Sequence, residues 1–125
     1  VIGGGTIGLA AVAAAKFIGC QVDLHARYDH QKDAGNKLGA GLVDGLYDRV
    51  IDCVGTKETL GLSARTAKPG SWIVLLGIPM EGILLPGMKI IMNEIKLFPS
   101  IMYGASSGVK DFEQAAKLLA LNPVG

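Results

Sequence analysis

Cysteine is scarce in this chain. The two present, Cys20 and Cys53, lie in apolar stretches without CxxC spacing or a histidine partner. A disulfide framework or a zinc site needs such clustering, so both read as small core residues. Charge is scarce as well, at 18% of residues with a formal net charge of +1. No run of Lys or Arg offers a field for nucleic acid or a membrane surface. Long unbroken apolar runs are also missing, since five glycines and Lys16 interrupt the opening from Val1 to Cys20. That segment lacks the basic start of a signal peptide and is too broken to span a bilayer. A soluble protein of a reducing compartment, the cytoplasm, is expected. The chain has no initiating Met and reaches a glycine cluster directly after Val1-Ile2. A strand in such a place needs about five residues, so the first strand is expected to be cut and the chain to be a piece of a longer one.

What is present fits one domain and one core: 125 residues, half of them apolar. A single domain over residues 1–125 is therefore expected. Short β-rich runs alternate with longer helical runs, the pattern of a parallel α/β sheet. Helices are expected from Thr6 to Ile18, from Asp29 to Leu38 with Gly39 closing the end, and from Thr56, as cap, to Ala67. Strands are expected at Val22–His25, Val50–Val54 and Trp72–Leu76, with Pro69-Gly70 as a turn. The last of these is almost wholly apolar, as suits a strand buried on both faces. A short helix from Met88 to Asn93, a strand from Ile95 to Ser100 and a helix from Val109 to Leu121 finish the chain.

Gly3-Gly4-Gly5-Thr6-Ile7-Gly8 fits G-x-G-x-x-G, with Gly3, Gly5 and Gly8 in the set positions. Gly3 allows a tight strand-to-helix turn, Gly5 lets the backbone approach a pyrophosphate, and Gly8 permits close helix packing. The N–H groups of Thr6 and Ile7 would face the phosphates at a helix N-terminus. A glycine-rich turn alone can be purely structural; strand before, long helix after and a second strand at the right distance favour a dinucleotide. Nicotinamide-dinucleotide folds place Asp or Glu at the end of the second strand to hold the ribose hydroxyls. Here that slot falls on Ala26 or Arg27, neither a carboxylate. Arg27 offers a guanidinium fork suited to a 2′-phosphate, Tyr28 can pack on adenine, and His30 or Lys32 adds charge. NADP is therefore expected before NAD. The competing possibility is a solvated Arg27 with Asp29 on the ribose.

Gly3 to Gly8, Lys37-Leu38-Gly39-Ala40, Tyr47-Asp48-Arg49-Val50-Ile51-Asp52-Cys53-Val54-Gly55, Lys68-Pro69-Gly70 and Val74-Leu75-Leu76-Gly77-Ile78-Pro79 stand in the order of the medium-chain dehydrogenase/reductases. The chain resembles their zinc-dependent alcohol and polyol dehydrogenase branch over nearly its whole length. The resemblance implies a Rossmann-type doubly wound parallel sheet. It also implies Gly5, Thr6 and Ile7 on the pyrophosphate, Arg27 on the adenosine phosphate, Cys53, Val54 and Gly55 along the adenosine side, and Gly77, Ile78 and Pro79 at the nicotinamide. It implies a homodimer built through the strand near Ile95–Ser100.

Two departures from the family stand out. Between Ala40 and Tyr47 only six residues remain where the family carries a strand and a helical stretch. The third strand is expected to be missing, with order 2-1-4-5-6 and the second strand left as an exposed edge. The zinc-binding substrate domain is expected to be lacking as well, and no catalytic residue or metal site is expected here. The chain then reads as the NADP-binding part of an alcohol or polyol dehydrogenase, catalytically incomplete alone. A stand-alone nucleotide-binding or regulatory module, or a truncated remnant that folds and dimerises without activity, is the alternative.

Overall fold

The computed structural model describes residues 1–121. Its elements run α1 (Thr6–Phe17), β1 (Asp23–Leu24), α2 (Asp29–Lys37), β2 (Gly41–Leu42), β3 (Tyr47–Asp52), α3 (Lys57–Thr66), β4 (Ala67–Leu75), α4 (Gly87–Met92), β5 (Lys96–Pro99), β6 (Ala105–Ser106), β7 (Val109–Lys110) and α5 (Asp111–Leu121). Residues 122–125, the end of the expected domain, lie outside the described residues. Among the described residues no helix is long and apolar enough to cross a membrane.

Pairs β1–β2, β3–β4 and β4–β5 are all parallel. Ile2 joins them, bridging His25 on one side and Asp52 on the other, again in parallel. Counting the leading segment at Ile2 as the first strand, the order across the molecule is the doubly wound 3-2-1-4-5-6. The expected Rossmann architecture is therefore present.

The third strand is not missing, however. Asp23 pairs with Gly41 and Leu24 with Leu42, so β2 survives as a two-residue stub that covers the edge of β1. Chain length explains the stub. A parallel strand of ordinary length must be followed by a crossover of a dozen or more residues to return to the sheet's starting end. Only Val43–Leu46 separate β2 from β3, so β2 can rise by no more than its first residues. Tyr47 ties this short connection down: its hydroxyl donates to Asp23 Oδ2 at 2.7 Å and accepts from the Asp44 N–H at 2.6 Å.

Alternation along the strands divides the core. Ile2, Val50, Ala64, Ala67, Ile73 and Ile95 pack on the face carrying α3 and α4. Val12, Val22, Leu24, Ala26 and Ala40 pack on the face carrying α1 and α2, with Val1 against them. Successive residues Val1 and Ile2 thus serve opposite faces, as the period of two requires. Thr56 caps α3 through a reciprocal pair of bonds with Thr59.

Three local features depart from expectation. Strand β3 stops at Asp52, because that side chain takes the N–H groups of Val54 and Gly55 away from any ladder. Pro69-Gly70 lies inside β4 as an irregularity, where the register slips from Tyr47↔Ala67 to Arg49↔Trp72, a position that tolerates proline. A hairpin precedes α5: β6 and β7 pair antiparallel across Ser107 (φ 53°) and Gly108 (φ 78°), and α5 starts at Asp111.

Candidate functional site

The glycine turn joins Ile2 to α1 with almost no free space. Gly3 has φ +102°, and a Cβ there would lie 2.7 Å from Val54 Cγ2. A Cβ on Gly8 would collide with the carbonyl oxygen of Gly3, so the helix can approach the turn only through glycine. Gly4 sits in none of the three motif positions, yet a Cβ on it would come within 2.7 Å of Ala26 and Gln31 side-chain carbons. Its absent side chain lets the turn press against the end of β1. Gly5 is the opposite case: a Cβ there would meet nothing within 4 Å. It is the N-cap of α1, with no side-chain cap and no acidic residue in the first turn. Thr6 and Ile7 are exposed beside it. An uncapped helix N-terminus over open space is suited to an anion.

At the end of β1, Ala26 is buried while Arg27 and Tyr28 are exposed. The Arg27 guanidinium carbon lies 5.5 Å from the centre of the Tyr28 ring. Tyr28 in turn stacks on His30, with centroids 5.7 Å apart and planes 11° from parallel. Asp29 has already entered α2 and pairs with Lys32 at 3.0 Å. The hydrogen bond from Lys32, with its charge, holds the Asp29 carboxyl below the usual range. The strand end therefore presents a cation on an aromatic ring and no carboxylate.

The third part is the end of β3 against the end of β4. Cys53 is half-buried, and burial, followed by the Asp52 charge, pushes its thiol up to about 11. Val54 is exposed and Gly55 buried with φ +80°. A Cβ on Gly55 would lie 2.9 Å from the carbonyl oxygen of Gly77, and one on Gly77 would strike Val54 and Gly55 backbone. These two glycines bring the loop ends into direct backbone contact. Ile78 is exposed and Pro79 partly buried just beyond. The fold thus brings together the glycine turn, the Ala26–Tyr28 corner, Cys53–Gly55 and Gly77–Pro79 at the carboxyl ends of the parallel strands. That edge, where the strand order reverses, is where such sheets hold ligands.

Asp52 was not among the residues singled out from sequence. It is wholly buried, and its Oδ1 accepts from the N–H groups of Val54 and Gly55, each at 2.9 Å. The available signal was Asp at a strand end followed by a glycine-containing turn, a pattern in which the carboxylate bonds the backbone two residues on. Among the described residues, no three His, Cys, Asp or Glu side chains are grouped to hold a metal ion. A zinc ion therefore has no fitting donor set there. A groove of about 950 Å³ runs between α1, α2 and α5 and is lined by none of the residues at the strand ends.

The profile of a family described as zinc-binding dehydrogenase matches residues 41–120. No curated protein matches the chain. Among solved structures, one is a Sinorhizobium meliloti 1021 protein described as a zinc-binding dehydrogenase and bound to NADP. It is 27% identical, with TM-score 0.75, over 98% of this chain and 41% of that one. L-idonate 5-dehydrogenase from Escherichia coli K-12 is 19% identical, with TM-score 0.77, over 98% of this chain and 38% of that one. Acetophenone reductase from Geotrichum candidum, in complex with NAD, is 22% identical, with TM-score 0.75, over 98% of this chain and 37% of that one. The chain spans about two fifths of the length of these proteins. With the glycine turn, the doubly wound order and a profile match over more than half its length, this chain belongs to the zinc-binding dehydrogenase family, as a cofactor-binding domain of the medium-chain class.

Proposed function

We propose that this chain is the NADP(H)-binding domain, residues 1–125, of a longer cytoplasmic oxidoreductase that moves a hydride between the nicotinamide and an alcohol or carbonyl. What carries the choice of NADP is the end of β1, where Arg27 lies exposed over Tyr28 and Asp29 is turned into α2 on Lys32. Gly3 and Gly8 shape the turn, while Gly5 and the N–H groups of Thr6 and Ile7 take the pyrophosphate. Ala26, Arg27 and Tyr28 meet the adenosine and its phosphate. Cys53, Val54 and Gly55 line the adenosine side, and Gly77, Ile78 and Pro79 the nicotinamide. The bound cofactor supplies hydride exchange; the residues of this chain bind and orient it. No step beyond cofactor binding is proposed for these residues. The substrate-binding, zinc-holding part is assigned to the remainder of the longer polypeptide.

NADP is bound by the Sinorhizobium neighbour and NAD by the Geotrichum one, so the preference must be tested directly. A charge-assisted contact to the 2′-phosphate is worth about 1.5–3 kcal/mol, so calorimetry should find NADPH at least about tenfold tighter than NADH. Arg27→Ala should remove most of that ratio. Equal affinities in the parent chain overturn the NADP assignment. Binding of neither nucleotide favours an inactive remnant.

A further inference from the structure

We infer that Asp52 is the positioning residue of the nucleotide crevice, setting the spacing between the glycine turn and the end of β4 through the turn its side chain clamps. The inference rests on the cofactor reading above and adds a residue to it that touches no cofactor atom.

Asp52 ends β3, the strand lying between the Ile2 segment and β4. Its carboxylate is wholly buried, and both of its oxygens accept hydrogen bonds. Oδ1 takes the N–H groups of Val54 and Gly55, each at 2.9 Å, and Oδ2 takes the Ser63 hydroxyl at 3.4 Å. Its main-chain carbonyl takes the N–H groups of Leu76 at 2.8 Å and Gly77 at 3.0 Å, while Cys53 N–H donates to the Ile2 carbonyl at 2.9 Å. The clamped turn has no slack on either side. A Cβ on Gly3 would stand 2.7 Å from Val54 Cγ2, and one on Gly55 would stand 2.9 Å from the Gly77 carbonyl. Any drift of Val54-Gly55 is therefore passed to the glycine turn on one flank and to Gly77–Pro79 on the other.

A buried carboxylate is costly to desolvate, and among the described residues no Lys, Arg or His pairs with this one. An apolar residue of similar volume would fill the space more cheaply. What it could not do is accept two backbone N–H groups and a hydroxyl at once, since only an acceptor with several lone pairs matches that set. The group is placed where geometry matters more than stability.

The test compares Asp52→Ala, Asp52→Asn and Leu60→Ala in the full chain. Leu60 is also fully buried, in α3, but its hydrocarbon side chain accepts no hydrogen bond from either loop, so it matches a loss of stability without unclamping the turn. Each variant is titrated with NADPH, monitoring nicotinamide fluorescence, and amide hydrogen exchange is followed at Val54, Gly55 and Gly77. Asp52→Ala should weaken NADPH by roughly tenfold or more, as for one buried donor left unpaired. It should also shift the bound fluorescence and deprotect all three amides. Asp52→Asn keeps an oxygen for the two N–H groups and should restore affinity to within about threefold of the parent. Leu60→Ala should leave affinity unchanged. The inference is overturned if Leu60→Ala loses as much affinity as Asp52→Ala, or if the Asp52→Ala amides stay protected. A parent chain with protected amides that binds neither NADPH nor NADH overturns the cofactor reading itself, and the nucleotide role of Asp52 with it.

Discussion

Gly5 is the residue at which the backbone is open by design of the turn rather than crowded. Its φ is −77°, a value any residue adopts, so Gly5→Val leaves the turn unstrained and fills only the open space proposed above for a pyrophosphate. The expected outcome is an unchanged melting temperature with nucleotide binding abolished; retained affinity in the folded variant would show that the turn is structural only. Cys53 provides a second residue-scale test. Burial holds its thiol up to about 11, above the ordinary value of 9.0. The protonated form is the one favoured by folding, so its contribution is complete below about 9 and is lost as pH rises toward 11. At pH 8 only about one thiol in a thousand is ionised. Iodoacetamide should therefore modify exposed Cys20 well before Cys53, and Cys53 alkylation should accelerate through pH 9 to 11. Modification of both at equal rates at pH 8 would contradict the buried placement.

Elements follow from the chain's periodicity wherever a hydrophobic pattern and a cap agree. Helix α3 is one such case, with Thr56 as cap and Leu60, Ser63 and Ala64 on its buried face. Where pairing is decided by chain length instead, pattern is silent. Gly41-Leu42 carry no strand signature and are exposed, yet they pair because Ala40 is anchored in the core and delivers them to the edge of β1. Tyr47, the first residue of β3, then ties the connection to the start of β1 through its bonds to Asp23 and Asp44. Tyr47→Phe removes the hydroxyl and leaves Asp23 and the Asp44 N–H without it. We expect a loss of about 1 kcal/mol in stability and faster amide exchange at Gly41, while β3 and β4 stay protected. Unaltered exchange at Gly41 would mean that something other than Tyr47 holds the stub. The β6–β7 hairpin was legible in principle, since Ser107-Gly108 is a two-residue turn sequence. Its strands are only two residues each, too short to show alternation.

Across the whole molecule, the two sheet edges differ. One is blunted by the β2 stub; the other is β5, whose outer side is unpaired among the described residues. Ile101 and Met102, directly after it, are 72% and 84% exposed, and Met88, Ile91 and Met92 of α4 are exposed as well rather than folded over that edge. Such an edge invites strand addition, and a two-fold pairing closes at two chains. We therefore propose a homodimer through β5. Leu97 packs against the core, so the clean probe is Ile101→Lys. Sedimentation at micromolar concentration should show a dimer for the parent and a monomer for the variant. A monomeric parent, or a dimer indifferent to the lysine, would place the association elsewhere or remove it.

The order of glycine turn, helix and strand was determined by the amino-acid sequence alone, because each is a local event: a tight turn needs glycine, a helix needs its cap and apolar stripe, and a strand needs its apolar run. The lack of a carboxylate after β1 is likewise written in Ala26 and Arg27. Only the tertiary structure decided that Gly41-Leu42 pair, that Gly4 must be glycine because Ala26 and Gln31 press on it, and that Asp52 clamps the centre of the crevice. Each of these depends on groups from separate parts of the chain meeting in space. Local propensity carries no record of such distances; the packing of the parallel strands sets them.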